Sequence, residues 1–528
     1  MWRFLLSNLR GSLRARAWAA PAILLCGASA MGAAPVPIPK FTGPVPVTAT
    51  SYPYLADDHD AKSLGLQNLG YVEEEFFVSG TANVYTWARN GAAGVTPTHG
   101  PYTIRILVRR PRDTAKFSGN VVVEDLSDYD SFDHLVMWGD LYPYMLEHGD
   151  AYIGVTMSPR SIENLKKFNP TRYAPLSMES PTLATIKCYG YRRYMSYGYA
   201  VYSTGGNGEQ GLRWDAISQI AALLKSDLPG RPLADLKVEA VYQTSQDRYV
   251  NTYVNAIDHG GFSQLANGKP AYDGYLLKWG IFPEPISECA EFITWEGSED
   301  WSDPRLKIQP RNSPLIQVQE EGDFPEAYHT RRPDSDRPGD RYRLYEIAGA
   351  SHGGNGGGPA PDPRCTPPTS SPQPMAGHAL RSALSNLELW VRNGTPPPRA
   401  VRLEVKDLGP QQPLNERDRN GFRLSTPEPY VIARDQLGNA IGGARSPYVD
   451  VPIAAYHGRL EGLNVLACGR VGWTVPFEKP RLISLYGDSK SYEAKLQQEV
   501  DRAVKEHWLT PSDATKVSAE LTAVQNFP

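Results

Sequence analysis

The chain has 528 residues, of which 41% are hydrophobic and 21% are charged, and its formal net charge is −4 at pH 7. This composition is typical of a globular protein with a large apolar core, and it excludes a chain that is disordered throughout. Because the charge is weakly negative and no long basic run is present, nucleic acid is not an expected partner. The length suggests three or four domains at about 150 residues each, although large α/β folds exceed that average.

The N-terminal segment is typical of an export signal. An apolar run from Ala17 to Cys26 follows four arginines and precedes small residues up to Ala34, which is the order of parts in a signal peptide. The apolar run is shorter than the ~20 residues that span a bilayer, and no later stretch is long and apolar enough. We therefore expect removal of residues 1–34, no membrane insertion afterwards, and a periplasmic or extracellular location.

The predicted mature chain contains four cysteines, Cys188, Cys289, Cys365 and Cys468. In an oxidising compartment they permit two disulfides in any of three connectivities. None has the CxxC or Cys/His spacing of a zinc site, and no predicted strand is followed by the G-x-G-x-x-G motif of nucleotide-binding folds. We therefore expect neither a metal nor a cofactor.

The first half of the chain alternates between strand and helix patterns. Pro101–Arg110 alternates in polarity like a half-buried strand, whereas Asn120–Leu126 and Asp150–Met157 are short apolar runs typical of buried strands. Helical spacing around Leu135–Glu147 separates the two apolar runs. This strand–helix–strand order favours a parallel sheet with helices on its faces.

A second series of strands follows. Leu236–Gln243 is a predicted strand that leads within a few residues into a helix, so a sharp turn occupies residues 243–246. Three further short strands are predicted at Tyr272–Gly280, Pro314–Asp323 and Tyr342–His352.

Three domains or segments result from this pattern. After the signal, residues 35–398 form an α/β core with inserted loops, which ends in a helix from about Gly377 to Asn393. Residues 399–528 form a C-terminal extension that we expect to pack on the core. The extension is β-rich to about Pro480 and helical from Tyr492 to Val524.

Polar residues with catalytic potential follow three of the predicted strands. The turn carries Thr244 and Ser245, the next relevant strand ends at Glu321 and Asp323, and the last ends at His352. A hydroxyl, a carboxylate and a histidine in this chain order match the Ser–Asp–His arrangement of acyl-transfer enzymes with an α/β sheet. The alternative interpretations are a helix-capping hydroxyl pair, a solvated acidic loop and an ordinary loop histidine.

Each predicted site residue has a chemical role in that arrangement. His352 would move a proton near neutral pH, and Asp323, with Glu321 as its rival, would orient the imidazole ring. Either Ser245 or Thr244 would attack the acyl carbon. The backbone N–H groups of Gln246 and Ser127 would form the oxyanion hole.

Several sequence blocks resemble those of the bacterial alpha/beta hydrolase domain-containing proteins, over about Gly43 to Asn526. They include GYVEEEFFVSGTANVY at 70–85, SQDRYVNTYVNAI at 245–257, YEIAGASH at 345–352 and GNAIGGARSPYVDVP at 438–452. The resemblance implies an α/β-hydrolase fold: a mostly parallel central sheet with helices on both faces, here with β-rich and helical C-terminal elaborations. It also implies that His352 is the family's histidine, and that its acid is Asp323 or the nearby Glu321.

The chain departs from the family pattern at two places. The family's nucleophile turn is G-x-S-Q-S/T-G/A, whereas residues 242–247 read YQTSQD and lack both glycines. Alignment without a gap places the nucleophile at Thr244, and alignment of the Ser–Gln pair places it at Ser245. The family's oxyanion block commonly reads E-W-L-N, whereas residues 124–127 read EDLS.

Two functions are consistent with the sequence. The first is an exported hydrolase that acts on a small carboxylic ester. The second is a catalytically altered or inactive hydrolase-fold protein that binds a small ligand where the family binds its substrate. Tyr242, Tyr249 and the acidic loop after residue 126 would be the contacts. The missing glycines motivate the second.

Overall fold

The computed structural model describes residues 34–128, 132–179, 208–246, 248–280, 282–288, 290, 293, 301–324, 326–352, 375–409, 430–459 and 472–523. Residues 34–528 form one compact unit. The predicted signal, except its last residue, and the four cysteines of the predicted mature chain lie outside the described residues.

Ten strands of the described chain form one sheet. In chain order they are β1 (Lys40–Thr42), β2 (Tyr71–Trp87), β3 (Ala93–Pro111), β4 (Asn120–Asp125), β5 (Ala151–Val155), β6 (Ala240–Ser245), β7 (Gly274–Lys278), β8 (Leu315–Glu320), β9 (Ser335–Arg337) and β10 (Asp340–Ile347). Across the sheet the order is β1-β2-β3-β5-β4-β6-β7-β8-β10-β9. All neighbours from β5 to β10 in this order pair in parallel, whereas β1, β2, β3 and β9 pair antiparallel. The predicted mostly parallel sheet is confirmed.

Helices cover both faces of this sheet. They are α1 (Val136–His148), α2 (Pro159–Phe168), α3 (Arg213–Leu224), α4 (Tyr249–Thr252), α5 (Glu326–His329) and α6 (Met375–Asn393). Val121 and Val123 of β4 lie in one apolar core with α3 and α4, and Val122 lies in another with α1 and α6. Successive side chains of a strand point to opposite faces, so the two cores are the two sides of the sheet.

The helix after β6 differs from a regular α-helix. Its α-helical turn at Tyr249–Thr252 continues as a π-helix over Tyr253–Asp258. The apolar positions that predicted the helix are buried, but the wider π turn accommodates an additional residue. The spacing therefore predicted the buried face correctly and did not reveal the change of helix type.

The described part of the C-terminal extension contains two antiparallel strand pairs and three longer helices. Its elements are β11 (Val405–Asp407), β12 (Tyr430–Ile432), α7 (Pro447–Asp450), β13 (Ala454–His457), β14 (Trp473–Pro476), α8 (Lys479–Tyr486), α9 (Ser489–Lys505) and α10 (Pro511–Thr522). Arg381 of α6 donates from Nε to Oδ2 of Asp513 at 2.8 Å and from Nη1 to the carbonyl oxygen of Asp140 at 2.8 Å. This arginine therefore joins the extension to two core helices. No helix in the described part of the chain has the length and apolar character needed to cross a bilayer.

The β13–β14 strand pair contains a histidine that we expect to make stability depend on pH. The His457 ring stacks on Trp473 with centroids 4.0 Å apart, and burial together with Arg434 lowers the pKa of His457 to about 4. In the unfolded chain this pKa is near 6.5, so only the unfolded state gains a proton between pH 6.5 and 4. Stability should therefore be lost as pH falls through this range.

The variant His457→Phe keeps a stacked ring and removes the titration. Relative to it, the wild type should lose on the order of 1 kcal/mol between pH 6.5 and 4, because the imidazole is only partly buried. Denaturant unfolding at several pH values measures this difference. Parallel stability curves for the two proteins would contradict the prediction.

Candidate active site

The site residues predicted from the sequence meet at one edge of the sheet. Strands β6, β7, β8 and β10 are consecutive neighbours and run parallel. Their carboxyl ends therefore lie side by side, which is where open α/β sheets bind ligands. Ser245 ends β6, Asp323 lies three residues beyond β8, and His352 lies five residues beyond β10.

His352 and Asp323 form a hydrogen-bonded pair at this edge. Nδ1 of His352 lies 2.7 Å from Oδ1 of Asp323, and the other carboxylate oxygen accepts the backbone N–H of Glu320 at 2.8 Å. Because an ionised carboxylate only accepts, Nδ1 is the donor and Nε2 is the basic nitrogen of the neutral ring. The Asp323 side chain is fully buried, whereas that of His352 is 23% exposed, so the ring remains accessible.

The two loops that carry the pair approach closely because residue 322 is glycine. A Cβ atom on Gly322 would lie 2.4 Å from the backbone nitrogen of His352. No real Cβ contact is that short, so any other residue at this position would separate the loop after β8 from the loop after β10.

Trp279 supports the histidine from the strand between β6 and β8. Its ring lies edge-to-face with the His352 ring at a centroid distance of 5.7 Å, an arrangement that aromatic pairs favour. Trp279 follows β7 directly and has φ = 65°, in the left-handed region that is costly for a residue with a side chain. The sequence analysis did not predict a role for Trp279, because it placed this residue inside the strand predicted at Tyr272–Gly280, whereas the strand ends at Lys278.

Glu321 has different partners. Its Oε2 accepts the backbone N–H of Gly349 at 2.7 Å, and its Oε1 accepts from Nη2 of Arg434 at 2.7 Å and from the N–H of Gly458 at 3.0 Å. Arg434 and Gly458 belong to the C-terminal extension. The structure therefore brings Asp323 to His352, whereas Glu321 connects the loop after β8 to the extension.

A buried ion cluster lies beneath the His–Asp pair. Nζ of Lys278 lies 2.8 Å from Oδ2 of Asp140 and 3.4 Å from Oε1 of Glu320. Burial alone would lower the pKa of Lys278, but the two carboxylates hold it above its ordinary value. Burial raises the pKa of Glu320, and the ammonium group opposes that rise.

Glu320, Asp323 and His352 also offer three potential metal-ligand atoms within 4.8 Å of one another. Two features of the cluster argue against a cation there. Nδ1 of His352 already donates to Asp323, and the ammonium group of Lys278 is adjacent to Glu320. The expectation that the chain holds no metal remains a prediction.

Replacing Lys278 with methionine should destabilise the protein strongly. The change leaves the carboxylates of Asp140 and Glu320 buried without their common cation, and removal of one partner from a buried pair costs about 3–5 kcal/mol. Chemical denaturation measures the effect. The matched control is Lys237→Met, because the Lys237 side chain is 87% exposed, and it should change stability by less than about 0.5 kcal/mol. A Lys278 variant within that same range would contradict the prediction.

Both candidate nucleophiles lie at the end of β6 and are part of the sheet. Thr244 and Ser245 are fully buried. Thr244 Oγ1 donates to the carbonyl oxygen of Leu276 at 2.8 Å, and Ser245 Oγ donates to that of Asp125 at 3.1 Å. Within residues 242–246 no backbone φ is positive. The described part of the turn therefore lacks the left-handed strain that a nucleophile on a sharp strand-to-helix turn can carry.

The two departures from the family pattern are in contact with each other. Nε2 of Gln243 donates to Oδ2 of Asp125 at 2.7 Å, and the backbone carbonyl of Asp125 accepts from Ser245. Burial raises the pKa of Asp125 well above its ordinary value, and the Gln243 hydrogen bond opposes this rise. The altered oxyanion block and the altered turn therefore form one buried polar unit.

The oxyanion candidates follow the residues of that unit in sequence. Ser127 is buried, and its carbonyl oxygen accepts the N–H of His134 at 2.9 Å. Gln246 is half-buried and follows Ser245 directly. Glu124, which the chain shares with the family block, accepts the N–H groups of Met137 and Trp138 at 2.9 Å each. Those N–H groups belong to the first turn of α1, so Glu124 fixes this helix against the loop.

The tyrosines considered as ligand contacts occupy different environments. Tyr242 is fully buried in the core beneath α6, so it is a core residue. Tyr249 donates to Oδ1 of Asp128, and the guanidinium carbon of Arg213 lies 4.6 Å from its ring centroid. Arg160 contacts the other oxygen of Asp128 at 3.0 Å. Tyr249 therefore belongs to a charged cluster next to the turn.

The chain was compared with known proteins. No curated protein matches it. Among solved structures it is similar to a dienelactone hydrolase from Anabaena variabilis, with 9% identity, a TM-score of 0.24, and coverage of 51% of this chain and 86% of that one. A serine hydrolase without lid from Xanthomonas campestris has 9% identity and a TM-score of 0.25 over 61% of this chain and 96% of that one. Acetyl xylan esterase 1 from a Thermoanaerobacterium species has 8% identity and a TM-score of 0.25, over 52% of this chain and 76% of that one.

The family model described as the alpha/beta hydrolase domain matches residues 41–519. This match covers most of the chain and includes the central sheet, the turn after β6, Asp323 and His352. The chain therefore belongs to the alpha/beta hydrolase domain family.

Proposed function

We propose that the protein is an exported hydrolase of small carboxylic esters. The observation that carries this proposal is the 2.7 Å contact between His352 Nδ1 and Asp323 Oδ1 at the carboxyl edge of the sheet. Asp323 fixes the tautomer in which Nε2 of His352 accepts a proton. The N-terminal pattern of arginines, apolar run and small residues supports export, and N-terminal sequencing of the secreted protein tests it.

The reaction proceeds through an acyl-enzyme. The hydroxyl oxygen attacks the ester carbonyl while Nε2 of His352 takes its proton, and the same proton then leaves with the alcohol. Water repeats these steps on the acyl-enzyme and releases the acid. In this mechanism the backbone N–H groups of Gln246 and Ser127 donate to the oxyanion.

Ser245 is the better candidate for the nucleophile. It is the last residue of β6, whereas Thr244 lies one residue farther inside the strand. Serine also lacks the second Cβ substituent that restricts the χ1 rotation of threonine. A change of χ1 would break the hydrogen bond from Ser245 to Asp125 and direct the hydroxyl oxygen elsewhere.

A non-catalytic binding protein is the second candidate. It is favoured by the burial of both hydroxyl groups and by their hydrogen bonds to main-chain carbonyls. In that case the edge site would hold a ligand without turnover.

Labelling by a fluorophosphonate separates these two functions. The protein is exposed to the reagent, its intact mass is measured, and the segment Val241–Tyr249 is mapped by peptide mass. We expect one adduct on Ser245 and none in His352→Ala, because labelling requires the activated hydroxyl. No adduct, together with no hydrolysis of short-chain and aryl esters, would favour the binding protein.

A further inference from the structure

A polar pocket lies at the opposite edge of the sheet from the candidate active site. Arg311 lies four residues before β8, and Gly339 directly precedes β10. The pocket has a volume of about 260 Å³ and is lined by Asp258, His259, Gly261, Gln264, Gly268, Pro270, Pro310, Arg311, Asn312 and Gly339. Strand β8 has six residues at ~3.3 Å each, so on the order of 20 Å separates this amino-edge pocket from Asp323.

The rim of the amino-edge pocket is built from tight turns. Gly261, Gly268 and Gly339 all have φ between 76° and 79°, which residues with a Cβ rarely adopt. His259 donates from Nδ1 to the carbonyl oxygen of Pro310 at 2.8 Å, and this bond joins two of the rim segments. The rim is therefore fixed by its backbone.

The floor carries a buried cation with free hydrogen-bonding capacity. Arg311 is only 7% exposed, and within the described chain its Nε atom has no hydrogen-bond partner. Its Nη2 donates to the carbonyl oxygen of Gln309, and its guanidinium carbon lies 5.9 Å from the ring centroid of Tyr275. A buried N–H donor of a charged group is costly unless it is paired, and a carboxylate is the partner that a guanidinium group matches best.

A buried acceptor lies beside this cation. Oδ1 of Asp258 accepts from Ser263 Oγ at 2.5 Å, and the charge of Arg311 and the hydroxyl group of Tyr275 stabilise the carboxylate. Its Oδ2 is buried and makes no direct hydrogen bond within the part of the chain that the structure describes. A ligand hydroxyl would satisfy this oxygen. The exposed amides of Gln264 and Asn312 add donors and acceptors at the rim.

The size of the pocket exceeds that of a simple oxyanion. The pocket volume of about 260 Å³ is several times the roughly 30 Å³ that one water molecule takes up in the liquid, so the pocket holds several waters. A ligand that replaces them needs several hydroxyl groups as well as one anionic end.

We propose that the amino-edge pocket binds a small polyhydroxylated carboxylate, with its carboxylate on Arg311 and a hydroxyl group on Asp258. This site is separate from ester hydrolysis, and binding to it is measured without turnover.

Isothermal titration of the full-length protein with D-gluconate tests the proposal. Saturable one-site binding is expected, with at least tenfold weaker affinity in Arg311→Met because a charge-assisted contact is lost. Arg112→Met is the matched control, because Arg112 is exposed and lies outside the pocket, and it should bind like the wild type. Asn312→Ala changes only the exposed rim, so it tests the same pocket if the Arg311 variant does not fold, and it should weaken binding severalfold.

Acetate, inorganic phosphate and L-serine are the comparison probes. All three should bind at least tenfold more weakly than gluconate. Equal binding of acetate or phosphate would overturn the proposal in favour of a plain oxyanion site, and tighter binding of L-serine would overturn it in favour of a zwitterion site. Absence of gluconate binding, or gluconate affinity unchanged in both pocket variants, would also overturn it.

Discussion

Replacing His352 with alanine is expected to lower kcat/KM for a small ester by about 10⁴-fold or more. The change removes the base that activates the hydroxyl and the acid that protonates the leaving alcohol. Steady-state hydrolysis of an aryl ester measures the loss. Asp323→Asn should lower kcat by about 10³- to 10⁴-fold, because an amide no longer fixes the tautomer of His352.

Two matched variants show whether the loss is specific to these roles. His99→Ala removes an exposed histidine far from the site in sequence and should leave kcat within about twofold of the wild-type value. Glu321→Gln removes the charge that Arg434 faces. It should therefore lower the free energy of unfolding and leave kcat much less affected than Asp323→Asn does. If Glu321→Gln lowers kcat as much as Asp323→Asn does, Glu321 is the functional acid and the assignment above is wrong.

Ser245→Ala is expected to reduce turnover by about 10⁴-fold or more, because nothing in the triad compensates for a missing nucleophile. Thr244→Val keeps the shape of threonine and removes only the hydrogen bond to Leu276, so its kcat should remain within about tenfold of wild type. Single-turnover hydrolysis separates acylation from deacylation in both variants.

The opposite result would identify Thr244 as the nucleophile and support the alignment without a gap. If neither variant affects turnover, the hydrolysis arises elsewhere on the protein. Unfolding curves for both variants are the necessary control, since each hydroxyl is buried and hydrogen-bonded and its loss costs about 1 kcal/mol.

The parts of the fold that were predicted from the sequence are those with a strong local pattern. The apolar runs at Asn120–Leu126 and Asp150–Met157 are the parallel strands β4 and β5, and the helix predicted at Gly377–Asn393 is α6 at Met375–Asn393. Burial on both faces makes such strands continuously apolar, so periodicity finds them. The helical segment predicted at Tyr492–Val524 is two helices, because Pro511 begins a new helix, α10.

The long strand β2 was not predicted, and its charges explain why. Glu73, Glu74 and Glu75 give it a polar sequence, but Arg109, Arg110 and Arg105 contact them at 2.8, 2.9 and 2.6 Å respectively. The arginines of β3 neutralise these glutamates of β2, a residue type that is uncommon in strands without such a partner. Partners that are 30 or more residues apart are not visible to a local pattern.

The candidate site was only partly predictable for the same reason. His352 and Asp323 could be identified because each follows a strand, and strand ends meet at one edge. Lys278 had a weaker signal, namely a charged residue in an otherwise apolar strand, and Trp279 had none, because the strand was predicted to continue to Gly280. The contact between Gln243 and Asp125 had none, since 118 residues separate the two positions.

The contacts of Glu321 have a consequence for the order in which the loop after β8 is stabilised during synthesis. Arg434 and Gly458 hold this fully buried carboxylate two residues before Asp323, and both are translated after His352. A nascent chain that has been synthesised as far as His352 contains Asp323 and His352. It does not yet contain Arg434 and Gly458, which stabilise the loop after β8. The loop that carries Asp323 therefore gains these stabilising contacts only after residue 458 has been synthesised.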